Sequence, residues 1–499
     1  MSAPTVERRA VTAAPRATTT DVVVVGAGIA GIGLVTRLRR AGLTDVVVLE
    51  RADDVGGTWR DNRYPGVACD IPSHLYALSF APHAGWSRTY APGAEIQEYL
   101  RTVAREEGVL EHVRLGSPAE RMTWDAHARR WHVDTPTGRV DARVLVLATG
   151  RLTEPRLPAV AGLDTFGGPV VHSARWDDDV PVDGARVGVV GTGASAVQLV
   201  PALAARAREL VVLQRSAPYV VPREDRPYSA AERAAFAADP GAITALRERE
   251  AAVLEPGHAA RRREPDAVAA LRGRALDHLH AQVPPGPLRD ALTPDHEVGC
   301  KRVLLSDDYY PALRRPHVRL HPSPLARVGP GHVVAADGAA HALDVLVLAT
   351  GFAAADPPYA PRVRGRGGRT LAEHWADGMT AHASTAVHGF PNMFLVDGPN
   401  AALGHSSGVA LIEAQIDYVL GAVRHLTAPG APVLEVSAQA EAAYTERIDA
   451  MARGTVWMTG CRSWYVDPRS GRLTLLWPGT TQEFREANGT FSPDPYLVG

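Results

Sequence analysis

Lysine is almost missing from this chain of 499 residues: among 53 basic side chains Lys301 is the one lysine, and the rest are arginine. The bias fits a GC-rich genome and singles out the one position where an ammonium is kept. Net charge is missing too. With 53 basic against 55 acidic residues the formal charge is −2, which gives no field to gather nucleic acid or an acidic membrane face. Cysteine is scarce: Cys69, Cys300 and Cys461 are too few and too far apart in sequence for a disulfide framework or a zinc site, and no CxxC occurs. The expectation is a cytoplasmic protein in a reducing compartment, with no metal site. Long apolar runs are absent. The longest, Val22 to Thr36, is interrupted by glycine and stops at Arg37, short of the roughly 18 residues a membrane helix needs. Residues 1–20 lack the apolar core of a signal peptide and read as a flexible N-terminal tail.

What is present is 45% hydrophobic and 22% charged, the composition of a globular chain with sizeable cores, and about 150 residues per domain predicts roughly three units. Two echoes organise the sequence. Asp21 to Gly33 (DVVVVGAGIAGIG) reads as a buried strand, a glycine turn and a helix start, and Arg186 to Gln198 (RVGVVGTGASAVQ) repeats that grammar. Arg143 to Gly150 (RVLVLATG) is matched by Asp344 to Phe352 (DVLVLATGF), each an apolar strand of the kind covered on both faces. The fold expected is α/β, with two Rossmann-like dinucleotide-binding domains, the second inserted into the first. The first takes 21–155 and 340–499, the second 175–335. Within the second, about 226–298 has helical spacing and reads as a helical insertion, with Arg261-Arg262-Arg263 on a solvated helix face.

The two glycine turns differ in one informative way. After Gly26, Gly28 and Gly31, the next strand (VVVLE) closes on Glu50, 24 positions beyond Gly26. Glycines there let backbone N–H groups at a helix N-terminus approach a pyrophosphate, while a glutamate accepts hydrogen bonds from a free ribose hydroxyl. In the second copy Gly191, Gly193 and Ala196 hold the turn, and 24 positions beyond Gly191 stands Arg215. A guanidinium suits a 2′-phosphate, hence NADPH. Two nicotinamides have nothing to exchange without a mediator, so the first dinucleotide is read as FAD.

Two longer patterns are more specific. Gly56-Gly57-Thr58-Trp59 through Tyr64-Pro65-Gly66 to Asp70 fits GGxWxxxx[FY]PGxxxD, and Phe166 to Asp177 fits FxGxxxHxxxW[DP], with His172 and Trp176 in place. Together these resemble the Baeyer-Villiger monooxygenases, a branch of the class B flavin monooxygenases. The likeness extends to Gln214-Arg215, Cys300-Lys301-Arg302 with Tyr309-Tyr310, Ala349 to Phe352, Gly398-Pro399-Asn400 to Ser407, and Ser463-Trp464-Tyr465, covering residues 20 to about 480. The resemblance implies an NADPH-dependent, FAD-containing enzyme that inserts one atom of molecular oxygen beside the carbonyl of a small organic ketone, through a flavin peroxide, giving an ester or lactone.

The resemblance also implies roles. Arg302 is the fixed cation beside the oxygen-bearing flavin and Asp70 holds its guanidinium; an arginine stays ionised and offers planar donors to a carboxylate. Lys301 and Arg215 grip the 2′-phosphate, with Ser216 adding a hydroxyl. Gly57, Thr58, Trp59, Ser195, Thr350 and Gly351 join the cofactor contacts, and Trp464 packs on the nicotinamide side or in the core. His172 is read as a structural histidine of the linker, His405 as a cap on backbone, and Cys69 and Cys300 as inert. After Trp464 the chain departs from the best-known cyclic-ketone enzymes, so substrate range and oligomeric state stay open. An oxygenase of sulfide or amine would share every cofactor motif and is the alternative. A disulfide reductase with paired dinucleotide folds is disfavoured by the missing CxxC.

Overall fold

Four consecutive valines, Val22–Val25, build the centre of the first sheet. The computed structural model describes residues 17–498. Strand β1 (Thr18–Val25) pairs in parallel with β2 (Val46–Leu49) on one edge and with Gly138–Leu147 on the other. Val22 and Val24 face a core shared with the helices α1 (Ile29–Arg40) and Gly408–Thr427, while Val23 faces a second core that holds Trp124 and Trp131. Burial on both faces is why the run shows no polar alternation. The sheet has eight strands. Its order is Val363–Arg364, Arg121–Asp125, Arg130–Thr135, Gly138–Leu147, β1, β2 and Val113–Arg114, with Met393–Leu395 pairing beside Leu145 to Leu147.

A second sheet of five parallel strands runs Val318–His321, Glu209–Leu213, Arg186–Val190, Val345–Leu348, Val170–His172. Helix Ala194–Ala204 packs against it. A three-stranded antiparallel sheet follows at Leu325–Gly329, His332–Ala335 and Ala340–Ala342. Helices Ala230–Ala238, Pro240–Leu254, Gly257–Arg261, Pro265–Gln282 and Pro287–Leu292 form the expected helical stretch. The α/β fold with two Rossmann-like sheets is thus present, and no helix among the described residues is long and apolar enough to cross a membrane.

The boundaries need correction. Val170–His172 and Val345–Leu348 both belong to the five-stranded sheet, so that unit begins before 175 and ends after 340. An apolar strand buried on both faces carries no mark of which sheet it joins. At the N-terminus β1 already pairs at Thr18, opposite Val140, inside the expected tail; residues 1–16 of that tail lie outside the described residues. Arg261 is not solvated either: it is 6% exposed and donates to the carbonyls of Gly257 and Gly404 at 2.9 and 2.8 Å, whereas Arg263 is exposed and pairs with Glu297 at 2.9 Å.

The echo between the two halves has a packing cause. Gly26 and Gly191 sit at φ +107° and +114°, and a Cβ on either would lie 2.5 Å from a carbonyl oxygen, that of Ala148 for the first and of Ala349 for the second. Each glycine turn is therefore closed by its own Ala-Thr-Gly turn, and only glycine adopts that backbone without strain. Gly31 is tighter: a Cβ there would lie 1.9 Å from the Gly26 carbonyl oxygen. Its counterpart in the second unit is Ala196, fully buried, so the second turn leaves room for a methyl. Gly31→Ala is expected to force α1 off its strand and lower the melting temperature by several degrees, while Ala196→Gly costs only about 1 kcal/mol, the ordinary helix penalty. Thermal unfolding of both variants checks this, and equal shifts would contradict it.

Candidate active site

The first glycine turn ends at the N-terminus of α1, where Gly28 stands at the cap with no side-chain hydrogen bond to the helix N–H groups. Gly57 crosses it so closely that a Cβ on Gly57 would come within 3.0 Å of the Gly28 Cα. Two facing glycines leave the backbone bare, which is what close approach of a pyrophosphate requires. Glu50 is 4% exposed. Its carboxylate accepts the backbone N–H of Ala27 at 2.9 Å and of Ala52 at 3.0 Å and meets Arg60 at 2.9 Å. The acid just after β2 is therefore held in place beside the glycine turn. Trp59 is buried and donates its Nε1–H to the Tyr76 hydroxyl at 3.1 Å.

The second turn repeats the design. Gly193 caps helix Ala194–Ala204 without a side-chain bond, and a Cβ there would meet nothing within 4 Å. Lys301 Nζ donates to Ser216 Oγ at 2.7 Å. Burial, and next the charge of Arg215, lower the Lys301 pKa. Among the described residues neither cation forms an ion pair with a carboxylate. Two crowded cations and a hydroxyl without a counterion fit a phosphate monoester.

Between the two turns lies a cavity of about 640 Å³, lined by Gly26, Gly28, Glu50 and Thr58 from the first unit, Ser195 and Gln198 from the second, and Asp70, Arg302 and Trp464. Asp70 and Arg302 form an ion pair, Arg302 Nε to Asp70 Oδ2 at 2.6 Å. The pairing outweighs burial, so the Asp70 carboxyl is held below its usual range and the Arg302 guanidinium is raised further. The loop carrying Asp70 is fastened to the second unit. Gln198 accepts from the Tyr64 hydroxyl at 2.8 Å and donates to Ala68 O at 2.9 Å, and a Cβ on Gly66 (φ +85°) would lie 2.7 Å from Gln198 O. That contact accounts for the Tyr-Pro-Gly of the first long pattern.

Comparison with known proteins decides the family. Residues 23–229 match the family described as pyridine nucleotide-disulphide oxidoreductase. The chain is 45% identical over 466 residues to a Baeyer-Villiger monooxygenase of Streptomyces coelicolor, covering 93% of this chain and 90% of that protein. It is 37% identical to a Baeyer-Villiger monooxygenase of Pseudomonas aeruginosa, over 95% of this chain and 90% of the other. The chain belongs to the Baeyer-Villiger monooxygenase family. Solved structures agree: an oxidised steroid monooxygenase bound to NADP superposes with a TM-score of 0.84 at 32% identity, over 96% of this chain and 99% of that one. A closed cyclohexanone monooxygenase does so with a TM-score of 0.84 at 29% identity, over 97% and 100%.

Within this Baeyer-Villiger monooxygenase fold some expected site residues fall elsewhere. Gly31, Gly191, Gly193, Arg215, Ser216, Lys301, Thr350 and Gly351 are not among the residues lining the cavity; Thr350 and Gly351 clasp the linker, Thr350 Oγ1 donating to Arg156 O at 2.6 Å and Arg156 N to Gly351 O at 2.8 Å. Trp464 lines the cavity and is 48% exposed, which removes the core-packing alternative; its ring lies 4.4 Å from that of Tyr465, which is buried. His405 caps no backbone but faces Glu255 at 3.5 Å. Cys300 is not an inert thiol: it is bonded to Cys461, 161 positions away in sequence with Cα atoms 6.1 Å apart. Sequence distance excluded a link that folding makes short. Cys69 is free and buried, and burial pushes its thiol pKa up.

Residues that sequence reasoning missed are mostly arginines. Arg60 pairs with Glu50. Arg223 donates to Cys69 O at 3.0 Å, and its charge adds to the lowering of the Asp70 pKa. Arg151 lines the cavity and pairs with Asp397. In a chain with 53 basic residues only the fold distinguishes these from solvated ones.

His172 is structural, as expected from its linker position. Its Nδ1 accepts from Ala174 N at 3.1 Å, capping the turn Ser173–Arg175, and burial lowers its pKa to about 4. The unfolded chain protonates this ring near 6.5 and the folded one only near 4, so stability is complete above 6.5 and is lost as pH falls from 6.5 through 4. The loss from this group amounts to at most about 3 kcal/mol. His172→Asn keeps an acceptor for the turn and removes the titration, so its melting temperature is expected to fall less steeply over that interval. Parallel curves for variant and wild type would refute the assignment.

Proposed function

We propose that the chain is an NADPH-dependent, FAD-containing Baeyer-Villiger monooxygenase that works in the cytoplasm, inserting one oxygen atom from molecular oxygen beside the carbonyl of a small organic ketone. The observation that carries this reading is the Asp70–Arg302 pair, lining one cavity with the first glycine turn and with Ser195 and Gln198 of the helix that follows the second. On this reading the eight-stranded unit is the FAD-binding domain and the five-stranded unit the NADP-binding domain. Gly26, Gly28, Gly31 and Gly57 leave the pyrophosphate of FAD free to approach bare backbone, Glu50 accepts from the ribose, and Trp59 forms a wall of the cavity. Gly191, Gly193 and Ser195 serve the NADPH pyrophosphate, with Arg215, Ser216 and Lys301 around its 2′-phosphate.

When bound, FAD supplies the electrons that activate oxygen, and NADPH replenishes them. The chain's own residues supply placement and charge. Arg302 keeps its positive charge at every working pH and turns it toward the place where negative charge develops, which is the contribution preorganised cations make to such reactions. Asp70 fixes that guanidinium through Nε at 2.6 Å, and Arg302 lines the cavity. Trp464 and Tyr465 line the same cavity as Arg302. NADPH as reductant is the argument for a cytoplasmic setting.

Turnover with NADPH, labelled molecular oxygen and a panel of ketones and thioethers, read by mass spectrometry, tests the reading. One labelled atom in an ester or lactone is the expected outcome; label found only in sulfoxide would overturn it in favour of heteroatom oxidation. The nucleotide assignment is tested separately. Lys301→Ala is expected to raise the KM for NADPH roughly tenfold or more, the value of one charge-assisted phosphate contact, with little change in the KM for NADH. Equal effects on both nucleotides would refute it.

A further inference from the structure

The Cys300–Cys461 link joins two segments that the nucleotide site depends on. Cys300 directly precedes Lys301 and Arg302, and Cys461 stands three positions before Trp464. Weaker contacts already hold these segments together. Ser463 Oγ donates to Cys300 O at 3.1 Å, Glu297 N meets Gly460 O at 3.4 Å, and Arg263 bridges Glu297 at 2.9 Å and Thr459 Oγ1 at 3.1 Å. With the sulfur bond open, four such contacts keep the two thiols facing each other, ready to close again. Cys300 is fully buried while Cys461 is partly exposed, so one sulfur can meet a solvent-borne reagent and the other can only resolve it.

We infer that Cys300 and Cys461 are a reversible redox modification site, oxidised by hydrogen peroxide, whose closed form fastens the Lys301–Arg302 loop to the Trp464–Tyr465 segment and slows the exchange of NADP. The chemistry balances in two steps. The Cys461 thiol gives up its proton and attacks peroxide as the thiolate, the O–O bond breaks, and a sulfenic acid forms while the departing hydroxide takes that proton to give one water. The Cys300 thiol then attacks that sulfur, forming the S–S bond and releasing a second water; two electrons pass from the sulfur pair to the peroxide. A dithiol reverses the change by thiol–disulfide exchange. The functional half of this inference rests on the proposed nucleotide site, because Lys301 and Arg302 are what the tie immobilises. An enzyme that reduces oxygen with NADPH while no ketone is present is itself a source of peroxide, so the closed form throttles idle turnover. Cys69 takes no part: it is buried, unpaired, and its thiol is held protonated by burial.

The full-length protein is treated with a few equivalents of hydrogen peroxide, or with dithiothreitol, then alkylated on denaturation, digested and mapped. One alkylated cysteine, Cys69, and a crosslinked Cys300–Cys461 peptide are expected after peroxide, and three alkylated cysteines after dithiothreitol. NADP⁺ titration is expected to show severalfold tighter binding and slower release in the oxidised protein. Cys461→Ser is expected to behave as the reduced form under both treatments. Three alkylated cysteines after peroxide, unchanged NADP⁺ release between the two forms, or a peroxide response of NADP⁺ release in Cys461→Ser equal to that of wild type would each overturn the inference. The cysteine map requires no turnover, so failure of the monooxygenase assay and failure of the redox site are separate results.

Discussion

The ion pair between Asp70 and Arg302 is the contact on which the rest of the site depends. Its partners lie 232 positions apart and meet at 2.6 Å, one carried by the loop after Tyr64-Pro65-Gly66 and the other by the segment just before strand Leu304–Leu305. A pair this close and partly buried leaves a costly unpaired charge if either member is removed, several kcal/mol for buried pairs. Its geometry is set by how the two units meet, because Gln198 of the second unit grips the Tyr64–Asp70 loop through both its oxygen and its nitrogen. Relative position of the sheets thereby becomes relative position of a carboxylate and a guanidinium.

This dependence explains which parts of the molecule could be read from sequence. The glycine turns are legible because their backbone must lie in regions or at distances that a Cβ forbids, and Gly26 with Ala148, like Gly191 with Ala349, shows the same constraint twice. Glu50 and Arg215 are legible because each sits at a fixed offset from a turn whose geometry is known in advance. The membership of Val345–Leu348 in the five-stranded sheet is not legible, since an apolar strand buried on both faces has the same appearance in either sheet. Nor is the Cys300–Cys461 bond, which depends on a contact between segments 161 positions apart.

Arginine is where the sequence is least informative and the structure most so. Arg60, Arg151, Arg223 and Arg261 are indistinguishable by spacing from their solvated neighbours. In the fold Arg60 steadies Glu50, Arg151 meets Asp397, and Arg223 reinforces the charge at Asp70. Arg261 is the extreme case. It is buried with no carboxylate partner among the described residues, its two terminal nitrogens donate to backbone carbonyls while its Nε has no partner, and burial with the nearby charge of Arg302 lowers its pKa to about 10. Arg302 and Arg223 both lower the Asp70 pKa, Arg223 also lying 3.8 Å from Asp225, and Arg261 adds its charge near Arg302. A chain with a formal charge of −2 concentrates positive charge at the one place where its proposed chemistry generates negative charge.

The lone lysine belongs to the same argument. A guanidinium is a broad planar fork suited to bidentate partners, and Arg215 already presents one. Beside it the compact ammonium of Lys301 makes one side-chain hydrogen bond, to Ser216 Oγ. Burial and Arg215 together lower the proton affinity of Lys301, a cost that a phosphate dianion placed there reverses. Arginine, always protonated and more diffuse, would carry its charge through that change without the gain. In a chain that otherwise carries arginine, the one lysine stands where, on the proposed reading, the size of the cation and the response of its proton to a ligand both matter.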